Sequence, residues 1–482
     1  MKNMLPFKVT IAAVFLTASV FTQRANGQTL VSSELITSLT AGQLTIPFIF
    51  TAQFDVDYYR ITYNTVDVNG EPTVASGGLA VPRGSACDIF PVAIYCHGTV
   101  LRQLDVPSEN NDEAELPQRF GGIGYITAAP DYLGLGINEG FHPYVHAESQ
   151  ATASIDMYYA TLEFIESEEN LHYNGETAIT GYSQGGHAAM ATLKYAQDNG
   201  LSEEMGIVAA APMSGPYNMS GSQAEVLLSD EPYSNPGYVI YLLMSYETAY
   251  GTIYNDLGDI IQSPYNETML TYFDGAQNEY DMDVPNGLLP NLLSEILVDS
   301  VLTNMMANDN HPIWTALRDN DNFDWAPQVP IRMYYCSGDE QVPFENSIAA
   351  RDSMQAKGAV DADAVNVGPG FNHGQCVIPA VLATRTFFNN QTTPCDLTVS
   401  TDDFGSSREL KAWPNPTSGP IRFSLPEARG IFAVYDVYGH RVFEQRVNRD
   451  EIAADLSGFA SGVYIAVFSG EHATQRATIV LE

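Results

Sequence analysis

Gly181-Tyr182-Ser183-Gln184-Gly185, followed by Gly186, is the stretch that decides the fold. It stands between an apolar segment, 177–181, short enough for one buried strand, and 185–197, which reads as a helix. A strand that passes into a helix across so few residues needs a tight turn, and glycine at both ends lets the two backbones approach. Ser183 at the tip is then held under strain with its hydroxyl lifted off the sheet, and the helix aims its positive end at whatever reacts there. Ser183 is a candidate nucleophile.

Around this turn, strand-like and helix-like stretches alternate, the pattern of a mostly parallel sheet covered by helices. The segments 59–68 and 73–81, joined through Asn69-Gly70, read as an opening hairpin. Buried strands are expected at 92–96, 125–129, 177–181, 207–211, 331–336 and 364–367, and helices at 151–167, 185–197, 347–357 and 378–389. The rhythm breaks once. Roughly 115 residues, 216–330, separate two core strands where a crossover needs a dozen to thirty. That insertion contains ten tyrosines and apolar runs at 238–244 and 292–306, and is expected to pack as a helical cap over the sheet edge.

Forty-five per cent apolar residues in a chain of 482 give a large core and two or three domains, and exclude a disordered or polytopic membrane protein. The net charge of −37 repels nucleic acid and anionic lipid. Lys2 and Lys8, the apolar run 9–21 and the small-residue site Ala25-Asn26-Gly27 read as a signal peptide over 1–27, so the chain is expected to be exported. All five cysteines follow it, in a disulfide-permissive setting, and at least one must stay unpaired. Cys376 with Cys395 is the favoured pair and Cys87 with Cys96 a possible one. Residues 28–407 carry ten basic and 49 acidic side chains, whereas 408–482 carry eight and nine, which places two modules on either side of a polar linker at 396–408. Short β-type runs separated by Gly, Pro and Asn turns make 409–482 a small all-β sandwich, and leave 28–395 for the larger α/β module.

A serine hydroxyl attacks well only when a histidine removes its proton and an acid orients that histidine. Asp339 follows the strand 331–336 through Ser337-Gly338, and His373 lies in the Gly-rich loop after 364–367. Both fall just past the carboxyl end of an expected parallel strand, where open α/β sheets place ligands. Glu340 and Asp352 compete for the acid role, Asp352 from within a helix. The developing oxyanion would be held by the backbone amides of Gln184, directly after the nucleophile, and Thr99, in the turn His97-Gly98-Thr99 after 92–96. His97 itself is read as a structural turn residue.

These motifs, with Pro130-Asp131-Tyr132-Leu133-Gly134-Leu135-Gly136 and Gly338-Asp339 before Val342-Pro343, resemble the α/β-hydrolase fold enzymes over about residues 55–392, particularly the secreted lipases and esterases with a helical cap. The resemblance implies a serine carboxylic ester hydrolase working through an acyl-enzyme, with a small-molecule or lipid ester as substrate and no cofactor. A prolyl-type peptidase on the same fold, or a binding protein on an inactive scaffold, are the alternatives. The tail, with Trp413-Pro414-Asn415-Pro416-Thr417-Ser418-Gly419, Tyr435-Asp436-Val437-Tyr438-Gly439, Leu456 and Gly462-Val463-Tyr464, resembles the sorting domain of the type IX secretion system. That likeness implies passage through the secretion machinery to the medium or the cell surface. The pair His142 and His146, with Glu148 nearby, has a zinc-like spacing, but Pro143 makes it a loop, and Asp319, Asp321 and Asp324 lack the ligand order of a calcium loop. No metal is expected.

Overall fold

A computed structural model describes residues 28–47, 49–84, 87–273, 281–393, 395, 410–425, 428–436, 441–470 and 474–481. The expected signal peptide at 1–27 and linker at 396–408 lie outside the described residues. Nine strands form the main sheet: β1 (Leu30–Leu39), β2 (Asp55–Val66), β3 (Pro72–Arg83), β4 (Ile89–Cys96), β5 (Ile126–Pro130), β6 (His172–Tyr182), β7 (Ile207–Met213), β8 (Ile331–Tyr335) and β9 (Ala362–Asn366). Their order is β1-β2-β3-β5-β4-β6-β7-β8-β9. The first three and β5 pair antiparallel, and every pair from β5/β4 to β8/β9 is parallel. The opening hairpin is present with longer arms than expected, and β1, which the sequence reading lacks, covers its outer edge.

Consecutive buried residues in β4 and β5 follow from helices on both faces, which leave no solvent side for polar alternation. Between β7 and β8 the insertion folds as helices, among them Gly237–Tyr250, Asp299–Ala307 and Pro312–Asp319. It carries its own apolar cluster, centred on Ile240, Leu243, Ile261, Ile296 and Leu317, which also takes in Leu101, Tyr144 and Val145 from the sheet module. The expected helical run 292–306 is interrupted: Leu293–Glu295 is one tight turn, and Val298, extended at φ −64 and ψ 133, starts a separate helix at Asp299. The C-terminal region is all-β, with sheets β10-β11-β14 and β13-β12-β15-β16 built from Lys411–Trp413, Pro420–Ser424, Gly430–Tyr435, Arg441–Val447, Glu451–Asp455, Gly462–Gly470 and Thr474–Leu481 in chain order.

The cysteine pairing differs from both expected pairs. Cys87 bonds Cys395, Cys336 bonds Cys376, and Cys96 is free and buried. Cys376 lies one turn into a helix that runs from His373 to Gln391. At a rise of about 1.5 Å per residue, that rod carries the chain some 20 Å away before Cys395 is reached, far beyond the span of a disulfide. Cys87 and Cys96 are separated in the same way by the extended strand β4. Burial also pushes the Cys96 thiol up to about 11, which leaves it un-ionised and inert. Non-reducing peptide mapping should therefore recover Cys87 linked to Cys395 and Cys336 linked to Cys376, with Cys96 alkylated only after denaturation. Recovery of a Cys376–Cys395 peptide would contradict this packing.

Candidate active site

Ser183 sits at φ 61 between β6 and the helix Gln184–Asp198, a left-handed conformation that costs a non-glycine residue about 1–3 kcal/mol. Its amide donates to the Met213 carbonyl of β7 at 2.9 Å, which fastens the turn to the neighbouring strand. A side chain on Gly185 would collide with the Cys96 carbonyl and lie 2.7 Å from that of His97, and one on Gly181 would strike the Gly185 backbone. Both glycines are thus required by close approach. The end of β4 is pressed against the first turn of the helix, which brings the His97-Gly98-Thr99 turn beside Gln184. Neither the Thr99 nor the Gln184 amide donates to an acceptor among the described residues.

His373 and Asp339 meet: imidazole Nδ1 and carboxylate Oδ2 are 2.7 Å apart, with the two side chains 9% and 1% exposed. The other oxygen of Asp339 accepts the amides of Gln341 at 3.0 Å and Val342 at 2.9 Å, so the carboxylate is fixed by its own loop. His373 does not stand in a flexible loop as expected. It is the first residue of the helix His373–Gln391, and Asn372 and Gln375 cap that helix reciprocally. Glu340 takes the His373 amide at 3.0 Å through its carboxylate, and Asp352 pairs with Arg351 on an exposed helix face. The imidazole packs on the ring of Tyr182 at 5.0 Å, and the Tyr182 hydroxyl donates to the His373 carbonyl at 2.6 Å, so the residue before Ser183 holds the histidine in place. Cys336 and Cys376 each lie three residues from Asp339 and His373, and their disulfide binds the two segments together.

His97 is structural, as its sequence context suggests. Its ring nitrogens face the carbonyls of Gly98 at 2.8 Å and Asp131 at 3.2 Å, it stacks on Tyr132, and burial lowers its pKa to about 4. Asp131 is itself buried. Its carboxylate accepts the Ser76 hydroxyl at 2.6 Å and the Ser108 amide at 3.0 Å, which ties the Pro130–Gly136 segment beneath the turn. The residues the sequence reading set aside as a zinc pair have separate tasks. His142 Nδ1 donates to the Leu133 carbonyl at 2.7 Å, which leaves Nε2 as the acceptor for the side-chain amide of Gln184 at 2.8 Å. His146 caps the helix Ala147–Ser167. Asp321 accepts the Ser220 amide, and Asp324 pairs with Lys357. Sequence spacing flagged His142 but not the Gln184 contact, because nothing local shows that a loop after β5 reaches the elbow.

Ser183 and Gln184 line a cavity with Tyr144, Met219, Tyr233 and Leu242. A second cavity, lined by apolar residues and the Tyr246 ring, lies within the cap and shares Val239 and Leu242 with the first. Among the described residues no charged side chain lines either.

An elbow on a mostly parallel sheet, capped by a helical insertion, defines an α/β-hydrolase of the lipase and esterase kind. The comparisons with known proteins agree. The ligand-bound rice cell wall degrading esterase LipA from Xanthomonas oryzae is similar at 27% identity and a TM-score of 0.69, covering 76% of this chain and 99% of that one. A putative hydrolase from Legionella pneumophila is similar at 25% identity and a TM-score of 0.68, over 75% of this chain and 98% of that one. Candida antarctica lipase A in its closed state shares the fold at 16% identity and a TM-score of 0.55, over 76% and 83% of the two chains. Residues 411–482 match the secretion system C-terminal sorting domain, which directs type IX secretion to the cell surface or beyond. No curated protein matches the chain. Among the described residues no helix is long and apolar enough to cross a membrane.

Two outcomes test the packing under the site. Gly185→Ala should fail to give a stably folded protein, because backbone and not a movable side chain blocks the new methyl; a thermal melt like that of the wild type would refute the close approach. For Asp131, burial raises the carboxyl to about 6. Its favourable contribution is full below the unfolded value near 4 and is lost as pH rises through 6. Asp131→Asn should therefore gain in melting temperature relative to wild type between pH 4.5 and pH 7.5. An unchanged difference across that range would show that the carboxyl is ordinary.

Proposed function

We propose that this hydrolase is an exported serine carboxylic ester hydrolase in which Ser183, His373 and Asp339 form the catalytic triad. The observation that carries the reading is the 2.7 Å pair of His373 and Asp339, packed on Tyr182 next to a strained serine. In this reading His373 Nε2 takes the Ser183 proton as Oγ bonds to the ester carbonyl carbon. The carbonyl electrons move to oxygen, and the amides of Gln184 and Thr99 donate hydrogen bonds to the negative oxygen. Collapse expels the alcohol, which leaves with the proton from His373, and water releases the acid from the acyl-enzyme by the same steps. Asp339 holds the imidazole tautomer and stabilises its charged form. The division proposed with it is a catalytic domain over 28–395, with the cap at about 216–330, joined by 396–408 to the sorting domain at 409–482.

The lining of the site favours esters over the peptidase reading. A prolyl-type peptidase must hold a charged terminus or amine, and among the described residues neither cavity presents a charged group to do so. The apolar cap cavity beyond Val239 and Leu242 is suited instead to an aliphatic acyl chain. Burying each methylene there contributes about 0.8 kcal/mol, so several carbons decide chain-length preference.

Purified protein should hydrolyse p-nitrophenyl esters and leave a prolyl amide untouched, and Ser183→Ala should abolish turnover together with labelling by a fluorophosphonate. Asp339→Asn should remain folded and lose about four orders of magnitude in kcat. Faster amide than ester hydrolysis would favour the peptidase, and no turnover at all the inactive scaffold. Leu317→Trp, which fills the cap cavity, should shift the ester profile toward shorter acyl chains; an unmoved profile would place the acyl group elsewhere.

A further inference from the structure

The turn His142-Pro143-Tyr144-Val145 is built against its own preferences. The Tyr144 amide donates to the His142 carbonyl at 2.8 Å, a three-residue turn about Pro143. Val145, 1% exposed, has φ 54, a left-handed conformation in which a β-branched side chain is a true outlier. Strain of this kind persists only where the surroundings enforce it. Here they do: Gln184 Nε2 grips His142 at 2.8 Å, the Ser245 hydroxyl donates to the His142 carbonyl at 2.8 Å, and the Tyr144 ring stacks on Tyr241 with centroids 4.7 Å apart at 15°.

The result is the placement of one hydroxyl. Tyr144 lines the same cavity as Ser183, and its oxygen accepts the side-chain hydroxyl of Thr99 at 3.1 Å. The phenol proton has no acceptor among the described residues. Burial drives the phenol well above its ordinary range, so it keeps that proton and cannot serve as a base. An unused O–H in an uncharged cavity, bonded to the residue whose amide is also free, is a donor waiting for an anion.

We infer that the Tyr144 hydroxyl is the third donor of the oxyanion hole, beside the amides of Thr99 and Gln184, and is thereby a catalytic residue. The inference rests on the reading of Ser183 as nucleophile. When Ser183 Oγ adds to the carbonyl carbon, the displaced electron pair resides on an oxygen that accepts the phenol O–H. When the adduct collapses, the pair returns to the carbonyl, and the phenol proton never leaves its own oxygen. The Thr99 hydroxyl, by occupying one lone pair of the phenol, turns the remaining O–H toward the cavity.

Tyr144→Phe preserves the stacked ring and removes only the donor. With a short p-nitrophenyl ester it should lower kcat about a hundredfold without raising KM. It should also weaken a trifluoromethyl ketone, which adds to the serine as a tetrahedral anion, by a similar factor, and leave the midpoint of the pH–rate profile in place. Thr99→Val, which retains its amide, should cost less and should add nothing in the Tyr144→Phe background. A wild-type kcat in Tyr144→Phe would overturn the inference. So would a loss of kcat accompanied by a lowered melting temperature and unchanged ketone affinity, which would mark a structural role. If Ser183→Ala is inactive while Tyr144→Phe runs at the wild-type rate, only this inference fails; if Ser183→Ala still turns over, the nucleophile assignment fails first.

Discussion

The contact on which the site depends is backbone against backbone: the end of β4 at Cys96 and His97 lies directly on the first turn of the helix Gln184–Asp198 at Gly185. Without it, Ser183 would have no reason to remain at a positive φ. The helix is kept there by burying Ala188, Ala189, Met190 and Leu193 against the sheet, and the amide of Ser183 is anchored on β7. Apolar burial of that size outweighs the few kcal/mol of strain at one residue. The same approach carries the His97-Gly98-Thr99 turn to the start of that helix, so in the proposed reading the nucleophile and both anion donors are set by one packing constraint.

A second constraint acts at the other side of the serine. Asp339 lies in the loop after β8 and His373 starts the helix that follows β9, and their distance would drift if those two segments moved independently. The Cys336–Cys376 bond removes that freedom, since each sulfur is within three residues of one partner. Two amides of the 339–342 loop hold the carboxylate, and the reciprocal cap of Asn372 and Gln375 fixes the helix that starts at His373. Capping of that kind contributes about 1 kcal/mol, little for the fold as a whole, yet it is applied at the residue proposed as the base. Tyr182 then joins the two sides, with its backbone in the elbow and its hydroxyl on the His373 carbonyl.

What the sequence disclosed divides along physical lines. Glycine spacing around Ser183, strand-length apolar runs and the position of Asp339 and His373 after such runs are local signals, and they suffice for the sheet and for bringing the acid and histidine together. The edge strand Leu30–Leu39 left no such signal, because most of its residues face solvent and it lacks a clean alternation. The disulfides were misjudged because sequence separation says nothing of distance across a fold: Cys87 and Cys395 are 308 residues apart in the chain and 6.2 Å apart between Cα atoms. The role of the His142–Val145 turn was equally illegible. Its partners, Gln184, Tyr241 and Ser245, come from the elbow and the cap, and only tertiary packing assembles them.

That assembly couples the cap cavity to the Tyr144 turn through a single helix. Along Gly237–Tyr250, Val239 and Leu242 stand three residues apart and form the wall common to the two cavities, while Tyr241 and Ser245, four apart, hold the Tyr144 turn. One face of the helix therefore borders both cavities, and an adjacent face holds the Tyr144 phenol in the cavity that Ser183 lines. A rotation of this helix large enough to move Leu242 out of the shared wall would also displace Tyr241 and, with it, the stacked ring of Tyr144. Changes in the cap cannot be treated as changes of pocket size alone, since helical spacing ties the wall shared by the two cavities to the placement of the Tyr144 hydroxyl, the donor proposed for the anion.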